Sequence, residues 1–415
     1  MLSKEKLLEK YNIESVCEQF DAVYDEAKKE FSEKGVFYLT REFVEKLQNE
    51  YGFFKSYYDF VLEMIDRVNS DEDLRFFSLV IYRMLEYNRG KSNIKMFPRK
   101  PLEDVRAEVD FEFSFYFAEL AFVPKMAEFY MSRGLPKNYL KATLTDVFDT
   151  ASIYAYSLTA GRLGFNIKTY FDWNQYYIYY KIVKIGELNF EIDRPLPEGA
   201  VALRNKNGEY KILADGYPIS SGGKVIMKDD PTAPTFTASF RETEDSYCGH
   251  EVDSLTGLVQ EKISSFPKEE WEIALTSCDD VLHVHIPRCG KITAENNERA
   301  YAEAILLHKK LFPEYNFKAI CCSSWLLASE LLDMLPEGSS IVAFQKKYHK
   351  LPKKARKPAV CHFLFPKPEE DFEKLEETTS LQRKVKAYYL SGGGALGDYG
   401  VIFPDEVDMT RSSLR

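Results

Sequence analysis

The stretch Val281-Leu-His-Val-His-Ile-Pro-Arg-Cys-Gly-Lys-Ile-Thr293 decides the fold of the second half of the chain. Four of its first six residues are apolar and three of these are β-branched, which predicts a buried strand over 281–286. His283 and His285 are two residues apart, so in a strand both imidazoles leave the same face. The sequence therefore predicts a core strand that carries two histidines on one side.

The residues after this strand predict a turn and then a helix. Pro287 ends the strand, and Thr293 is the expected N-cap of a helix over 294–311. The turn between them contains two cations and a glycine: Arg288, Gly290 and Lys291. Free amides at a helix N-terminus, together with cations, attract phosphate groups. Strand, turn and helix together predict an anion-binding site.

Length and composition exclude several classes of protein. With 415 residues and 45% hydrophobic content, the chain is too long for one ordinary core and too apolar for disorder, so at least two packed units are expected. A net charge of -10 argues against nucleic acid or an anionic membrane as partner. No run approaches the ~20 apolar residues that span a bilayer. Seven cysteines without C-x-x-C spacing indicate reduced thiols and predict a cytoplasmic protein.

The chain changes character near residue 161. Apolar residues from Ser3 to Gly161 recur at helical spacing, which predicts a helical domain over 1–160. The stretch Tyr176–Ile192 is dense in β-branched and aromatic residues and predicts the start of a sheet. Turn signals at hairpin-like intervals then predict antiparallel strands up to Trp271. We therefore predict a second domain, over 161–415, that is built around a sheet.

The last part of the chain predicts alternating strands and helices. In order they are a strand over 281–286, a helix over 294–311, a strand over 317–323, a helix over 325–335, strands over 340–348 and 360–365, a helix over 380–390 and a short strand over 401–403. A glycine-rich stretch, Ser391–Gly400, follows the last helix. It lacks the strand before and the helix after that a nucleotide-binding loop requires, so we expect a turn-forming loop.

A second chemically equipped junction lies at Cys321-Cys-Ser-Ser-Trp-Leu-Leu327, between the next strand and its helix. Ser323 or Ser324 can cap that helix. Ligands of open α/β sheets collect at the carboxyl ends of strands, where this junction and the turn after His285 would meet. The sequence predicts a cleft lined by histidine, cysteine, serine and cations.

Five short motifs extend this interpretation. They are His285-Ile-Pro287, Cys322-Ser-Ser-Trp-Leu-Leu327, Thr379-Ser-Leu-Gln-Arg383 with the glycines after it, Gly161-Arg-Leu-Gly-Phe165, and Gly249-His-Glu-Val-Asp253 with Gly257. Together they resemble the recurring motifs of bacterial acyltransferase-domain proteins. Such proteins pair a helical N-acyltransferase N-terminal domain with a GNAT-like C-terminal domain. The resemblance implies an α+β fold, in which an all-helical domain (1–160) precedes a GNAT-like mixed sheet with flanking helices (161–415).

The resemblance also implies a co-substrate, acetyl-CoA or another acyl-CoA. Its pantetheine would lie along the strand that ends at Ile286, and its pyrophosphate would lie at the turn that follows. The implied CoA-binding residues are Val284, Ile286, Arg288, Cys289, Gly290, Lys291 and Ser324. The acceptor would be an amine or a hydroxyl of a small molecule, and no metal is expected.

For catalysis, acyl transfer needs a base for the acceptor proton and a donor for the leaving thiolate. His285 is the predicted base. Cys322 is predicted either to give a proton to the thiolate or to be acylated itself, and Ser323 is a further catalytic candidate. His250 and Asp253 are predicted to line the acceptor side. The predicted enzyme is a GNAT-like N-acyltransferase.

Three other interpretations of these residues stay open. Strand histidines, buried cysteines and cations in turns are often only structural. Alternatively, His283 and His285 could bind a metal with Cys289, Cys321 or Cys322. Finally, a GNAT-like protein without catalysis could bind a metabolite or a partner. The single Gly290, where GNAT enzymes usually carry two glycines, favours that last alternative.

Overall fold

The computed structural model describes residues 2–228, 230–287, 290–365, 367 and 369–414, except for the side chains of residues 150–152, 154 and 155. The chain divides into two compact units, Met1–Lys184 and Ile185–Arg415. The predicted α+β architecture is confirmed: a helical region is followed by a mixed sheet with flanking helices.

The described part of the first unit is helical up to Ile178. Its α-helices are α1 (Lys4–Lys10), α2 (Glu18–Lys34), α3 (Arg41–Tyr51), α4 (Tyr58–Ser70), α5 (Glu72–Tyr87), α6 (Val105–Leu120), α7 (Val123–Ser132), α8 (Lys137–Thr145), α9 (Ser152–Ala160) and α10 (Ile167–Ile178), and a π-helix (Asp146–Ala151) lies between α8 and α9. Side-chain caps explain several starts. The carboxylates of Asp71 and Asp104 each accept two backbone N–H groups, at the first turns of α5 and α6.

Helix α6 forms the centre of this unit. From Val109 to Leu120 every side chain except that of Asp110 is buried. Phe111 and Phe115 pack against Phe77 of α5, with ring centroids 5.2 Å and 5.6 Å apart. A helix that is buried on all sides must be enclosed by other elements, which is why neighbouring helices surround α6.

The predicted start of the sheet was too early. The aromatic run that begins at Tyr176 includes the end of α10, and Asn166 caps that helix by accepting the N–H of Thr169. Large aromatic side chains suit a buried helix as well as a strand, so composition alone did not distinguish them. The division between the units falls after Lys184, whereas we predicted a boundary at residue 160.

The strands of the second part of the chain form two larger sheets and one small one. In chain order they are β1 (Ile182–Ile185), β2 (Leu188–Glu191), β3 (Ala200–Asn205), β4 (Tyr210–Ala214), β5 (Pro218–Ile219), β6 (Phe236–Thr237), β7 (Phe240–Glu242), β8 (Ser246–Val252), β9 (Val259–Pro267), β10 (Trp271–Leu275), β11 (Val281–His285), β12 (Ala319–Ser324), β13 (His349–Lys350) and β14 (Asp398–Ile402). The first sheet has the order β1-β2-β11-β12-β14-β13. The second has the order β10-β3-β4-β8-β7, with β9 beside β8, and β5 pairs with β6.

Most of the predicted strand and helix order is confirmed. The second sheet is antiparallel, as expected for the region before Trp271. In the first sheet β11 and β12 are parallel and are joined by α11 (Ala294–Leu311), which begins where it was predicted. The hydroxyl of Thr293 caps α11 by accepting the N–H of Asn296 at 3.2 Å. The last helix, α14 (Ser380–Leu390), begins with a capping box formed by Thr379 and Gln382.

Three predicted elements between β12 and α14 were wrong. The expected helix over 325–335 is a 3-10 turn (Trp325–Leu327) followed by the short α12 (Glu330–Met334). The expected strand over 340–348 is α13 (Ser340–Lys346), followed by the two residues of β13. Residues 360–365 have no strand and contain a turn. Short apolar runs fit either a strand or a helix, and the Ser339 cap, which accepts the N–H of Val342 at 3.2 Å, decides for the helix.

A core lies between the two larger sheets. It includes Ala202, Ile212, Ala214 and Val252 of the second sheet and Val281, Ala319, Cys321 and Val401 of the first. These strands alternate apolar residues toward this core with other residues away from it. Among the described residues, no helix combines the length and the apolar character that crossing a membrane requires.

Candidate active site

The two parallel strands β11 and β12 diverge at their carboxyl ends. In the described chain their register runs from Val281 opposite Ala319 to Val284 opposite Cys322. Beyond this point β11 continues to His285, which pairs with Asn189 of β2. On the other side β12 continues to Ser324, which pairs with β14. Beyond Val284 and Cys322 each strand therefore pairs with a different neighbour, at the sheet edge where ligands of open α/β sheets bind.

His285 lies at this divergence and contacts a buried carboxylate. Its Nε2 is 2.6 Å from Oε2 of Glu191 in β2. The Glu191 side chain is 2% exposed, whereas that of His285 is 21% exposed. Nη1 of Arg194 lies 3.5 Å from the same carboxylate oxygen. Only the histidine of this pair is therefore open to a substrate.

The carboxylate of Glu191 is held in its ionised form. Burial acts to raise the pKa of Glu191, but the hydrogen bond and charge of His285, with Arg194 beside them, outweigh burial and hold that pKa below its ordinary value. An ionised carboxylate accepts the Nε2–H of His285, so in the neutral ring the basic lone pair is on Nδ1. This is the arrangement of a general base with an orienting acid.

His283 has a different environment although it shares this face. It is 2% exposed, and its Nε2 has no hydrogen-bond partner among the described residues. Burial, together with the charges of Arg194 and His285, lowers the pKa of His283 to about 4. It therefore stays neutral in the folded protein near neutral pH.

Cys322 lies on the opposite face of the sheet from His285. It is opposite Val284, and consecutive residues of a strand point to opposite faces. It is buried beside Tyr348, whose hydroxyl is 2.8 Å from that of Tyr301. Burial raises the pKa of Cys322 to about 12. The structure thus does not bring the two predicted catalytic groups, His285 and Cys322, together.

The two serines after Cys322 have separate positions. Ser324 caps the 3-10 turn, because its Oγ accepts the N–H of Leu326 at 3.2 Å. Ser323 is exposed and pairs with Tyr399 of β14. The predicted capping role therefore belongs to Ser324, and Ser323 has its side chain at the surface.

The predicted phosphate turn is described only in part. Arg288 and Cys289 lie outside the described residues. Lys291 is exposed, Ile286 is half-buried and Val284 is buried in the strand. These positions leave Lys291 accessible to an anion at the start of α11.

Gly290 has a structural reason to be glycine. A Cβ atom at this position would lie 2.9 Å from the backbone oxygen of Glu187. Glu187 belongs to the turn between β1 and β2, so a larger residue would push the two turns apart. The close approach explains the one glycine of the turn without any ligand.

His250 and Asp253 make their described contacts within the second sheet. Nδ1 of His250 lies 3.1 Å from the backbone oxygen of Gln260, and its ring stacks on Phe236. Oδ1 of Asp253 accepts the N–H groups of Leu255 and Thr256, at 3.1 Å and 2.7 Å. Both residues hold local structure, and their predicted role toward an acceptor stays a prediction.

Glu191 is the residue of the candidate site that sequence reasoning missed. It is 94 residues away from His285 along the chain, so no local motif links the two. The signal that was present is a carboxylate that ends the apolar strand Leu188-Asn-Phe-Glu191. A charge within a buried strand is costly unless it is paired, and this one is paired with His285.

The alternative metal site gains no geometric support. Among the described residues, histidine, cysteine and carboxylate side chains form no group of three or more that would hold a metal ion. His285 is directed at Glu191, and the described free cysteines include Cys321 and Cys322 in buried positions.

Solved structures with the same fold are acyltransferases. One, in complex with decanoyl-CoA and teicoplanin, is 15% identical, with a TM-score of 0.61. A second, a mutant in complex with octanoyl-CoA, is 16% identical with a TM-score of 0.60, and a third, in complex with decanoyl-CoA, is 17% identical with a TM-score of 0.58. Each alignment covers 97% of this chain and 99% of the other chain. At this identity the likeness shows the fold.

Sequence comparison identifies the domain that carries the site. No curated protein matches the chain. A family described as "GNAT-like C-terminal domain" matches residues 182–402, which contain His285, Glu191 and the whole first sheet. This region is more than half of the 415 residues. The chain therefore belongs to the family of proteins with a GNAT-like C-terminal domain.

Proposed function

We propose that this protein is an acyl-CoA-dependent acyltransferase that moves an acyl group to an amine or hydroxyl of a small acceptor. The observation that carries the proposal is the His285–Glu191 pair at the divergence of β11 and β12. Similar folds occur in acyltransferases bound to octanoyl-CoA and decanoyl-CoA, and one of these structures also holds teicoplanin.

The proposed place of the donor is between the carboxyl ends of the two strands. Where β11 no longer pairs with β12, its backbone groups can bind the amides of a pantetheine chain, as a neighbouring strand would. The N-terminus of the 18-residue helix α11 follows, with Lys291 exposed just before it. Such a terminus favours phosphate groups. The reactive thioester would then lie near His285.

The proposed chemistry is direct transfer. The acceptor nitrogen or oxygen attacks the thioester carbonyl while His285 takes its proton. A C–N or C–O bond forms, the C–S bond breaks, and the proton passes to the CoA thiolate as CoA leaves as a thiol. Glu191 stabilises the imidazolium that exists between these steps.

A covalent route through Cys322 is less favourable on two grounds. Its pKa of about 12 is well above the about 8.5 of an ordinary thiol, so the thiolate is scarce and proton donation to CoA is uphill. It also shares the buried face with Tyr301 and Tyr348, opposite His285.

A non-catalytic protein that binds a metabolite or a partner is the alternative to this proposal. It rests on the absence of a second glycine from the turn, which the contact of Gly290 with Glu187 leaves unchanged. Turnover distinguishes the two.

The test has a binding part and a turnover part. Acetyl-, octanoyl- and decanoyl-CoA are titrated calorimetrically, and acylated products of a mixture of small amines and alcohols are identified by mass spectrometry. His285→Ala is expected to lose turnover by about 100-fold or more while it keeps its acyl-CoA affinity, because a base acts in the transition state.

His349 offers a matched control. Its Nε2 is 2.6 Å from Oε1 of Glu406, and its side chain is also 21% exposed, but it lies in β13 at the far edge of the same sheet. His349→Ala is expected to keep turnover. If no acyl-CoA binds at millimolar concentration, or if both variants lose activity equally, the proposal is wrong.

A further inference from the structure

A cavity in the second unit has a strongly cationic lining in an otherwise acidic protein. Its volume is ≈ 180 Å³, and it lies beside the start of β14. The charged side chains that line it are Lys224, Lys353, Lys354, Arg356, Glu330 and Asp398. Four cations thus face two carboxylates, whereas the whole chain has a net charge of -10.

The two carboxylates are already occupied by one of these cations. Nζ of Lys353 lies 2.7 Å from Oε2 of Glu330 and 3.3 Å from Oδ2 of Asp398. Lys353 is buried, and these two carboxylates compensate its charge out of water. Together with Lys353, the two carboxylates leave one excess negative charge. The remaining cations, Lys224, Lys354 and Arg356, carry three positive charges, so the lining stays cationic.

The other three cations have no ion pair within the described residues. Lys224 and Lys354 are half-buried and Arg356 is exposed, and no carboxylate of the described part of the chain lies within 4.0 Å of any of them. The ammonium of Lys354 lies near the rings of Tyr217 and Tyr399, 6.0 Å and 5.6 Å from their centroids. Like charges gathered in one cavity repel one another, and an anion between them relieves that repulsion.

The backbone around the cavity is fixed by hydrogen bonds between three segments. The N–H of Val225 donates to the oxygen of Lys353, and the N–H of Ala355 donates back to Val225, both at 2.8 Å. The glycine-rich loop joins them, because the N–H of Ala395 donates to the oxygen of Lys357 at 3.0 Å. The backbone that carries these cations is therefore held in place before any ligand arrives, which lowers the entropic cost of binding.

The glycine-rich stretch has its explanation here. A Cβ atom at Gly394 would clash with the backbone oxygen of Arg356, and one at Gly397 would lie 3.0 Å from its Nη1. Glycine thus lets the loop approach the arginine closely. The loop forms one wall of the cavity.

We propose that this cavity binds one carboxylate or phosphate group of the acyl acceptor. A volume of ≈ 180 Å³ is below the about 300 Å³ at which pockets for whole drug-sized ligands begin, so it suits a single head group. Arginine and lysine are the side chains that recognise such groups. The cavity adjoins the start of β14, which pairs with the carboxyl end of β12 beside the proposed cleft. The assignment of this group to the acyl acceptor rests on the proposed acyltransferase function, whereas the presence of an anion site does not.

The first experiment measures the anion alone. Inorganic phosphate and acetate are titrated calorimetrically into the full chain at constant ionic strength. Arg356→Ala and Lys354→Ala are each expected to weaken binding about fivefold to tenfold, and Arg356→Lys to restore part of it. Lys206→Ala, which removes one positive charge from an exposed turn of the same unit, is the matched control and is expected to change nothing. If the wild type binds neither anion at tens of millimolar, or if all variants bind equally, the inference is wrong.

The second experiment identifies the source of the anion. CoA and dephospho-CoA are titrated into the wild type and into Arg356→Ala. If Arg356→Ala binds CoA and dephospho-CoA as tightly as the wild type does, the cavity is assigned to the acceptor. If Arg356→Ala binds CoA more weakly than the wild type but binds dephospho-CoA equally well, the cavity is assigned to a CoA phosphate and the inference is overturned. If phosphate binds but no acyl-CoA does, the proposed function fails and the anion site stands. If acyl-CoA binds but neither phosphate nor acetate does, the proposed function stands and the anion site fails.

Discussion

Nε2 of His285 and Oε2 of Glu191 lie 2.6 Å apart across two antiparallel strands, although Glu191 is the register partner of His283 and not of His285. The contact is therefore diagonal. Long side chains reach such diagonal neighbours on one face of a sheet. This geometry directs the partly exposed histidine at a buried carboxylate and leaves His283 enclosed beside it.

The first prediction concerns the carboxylate. Glu191→Gln keeps the shape of the side chain but removes the negative charge that stabilises the imidazolium, so kcat is expected to fall about tenfold to a thousandfold. The acyl-CoA affinity is expected to stay within about twofold, because Glu191 is buried and is not proposed to touch the donor.

Glu406→Gln is its control, since Glu406 has the same relation to His349. An unchanged kcat in Glu191→Gln would show that the pair is only structural.

The second prediction concerns the turn before α11. Gly290→Ala places a methyl group 2.9 Å from the oxygen of Glu187, so the turn must shift. We expect a loss of about 1–3 kcal/mol in the free energy of unfolding, measured with urea, and at least about tenfold weaker acyl-CoA binding.

Gly338→Ala is the matched control, because a Cβ atom there meets nothing within 4 Å. If acyl-CoA binds more weakly to both variants, or to neither, Gly290 is not part of the donor site and the prediction is wrong.

The third prediction concerns the buried thiol. Cys322→Ala is expected to keep turnover within about threefold, because the thiol lies on the face opposite His285 and its pKa is about 12. Its free energy of unfolding is expected to fall by about 1–2 kcal/mol, since a buried sulfur atom is lost. A folded Cys322→Ala protein that loses about 100-fold in kcat would instead support the covalent route.

The fourth prediction concerns acid. The pKa of His283 is lowered from 6.5 to about 4 in the folded protein, so between these pH values the unfolded chain binds more protons. Stability due to neutral His283 is therefore complete above pH 6.5 and is lost as the pH falls toward 4. The shift corresponds to about 3 kcal/mol.

His283→Gln should remove this part of the acid sensitivity. The difference in free energy of unfolding between wild type and variant, measured with urea at pH 7 and pH 4.5, is the quantity that checks it. His308, whose pKa is also lowered to about 4, is present in both proteins and cancels in the comparison. A difference that does not change with pH contradicts the prediction.

The sequence predicted β11 and α11 well because their signals are local. Alternating apolar residues define the strand, and Thr293 at the N-cap defines the start of the helix. The run over 340–348 was misassigned because its apolar residues fit the spacing of a strand as well as that of a helix. The helix is decided by one side chain, the cap Ser339. The order β-α-β and the sheet class were therefore predictable, whereas the short elements between β12 and α14 were not.

The candidate site was only half predictable for the same reason. His285 lies in a recognisable strand end, but Glu191 belongs to a strand 94 residues earlier, and the pairing of β2 with β11 brings them together. Cys322 lies at the strand end that was predicted to face His285, but the alternation of side chains along β12 directs it to the opposite face of the sheet.

By itself the sequence determined the α+β class, the strand-turn-helix from Val281 onward and the histidine at its end, because periodicity and caps act over a few residues. Only the tertiary structure decided which carboxylate meets that histidine, why Gly290 is a glycine, and that the glycine-rich loop closes a cationic cavity. Each of these depends on contacts between segments far apart in the chain, and such contacts are fixed by sheet pairing and burial.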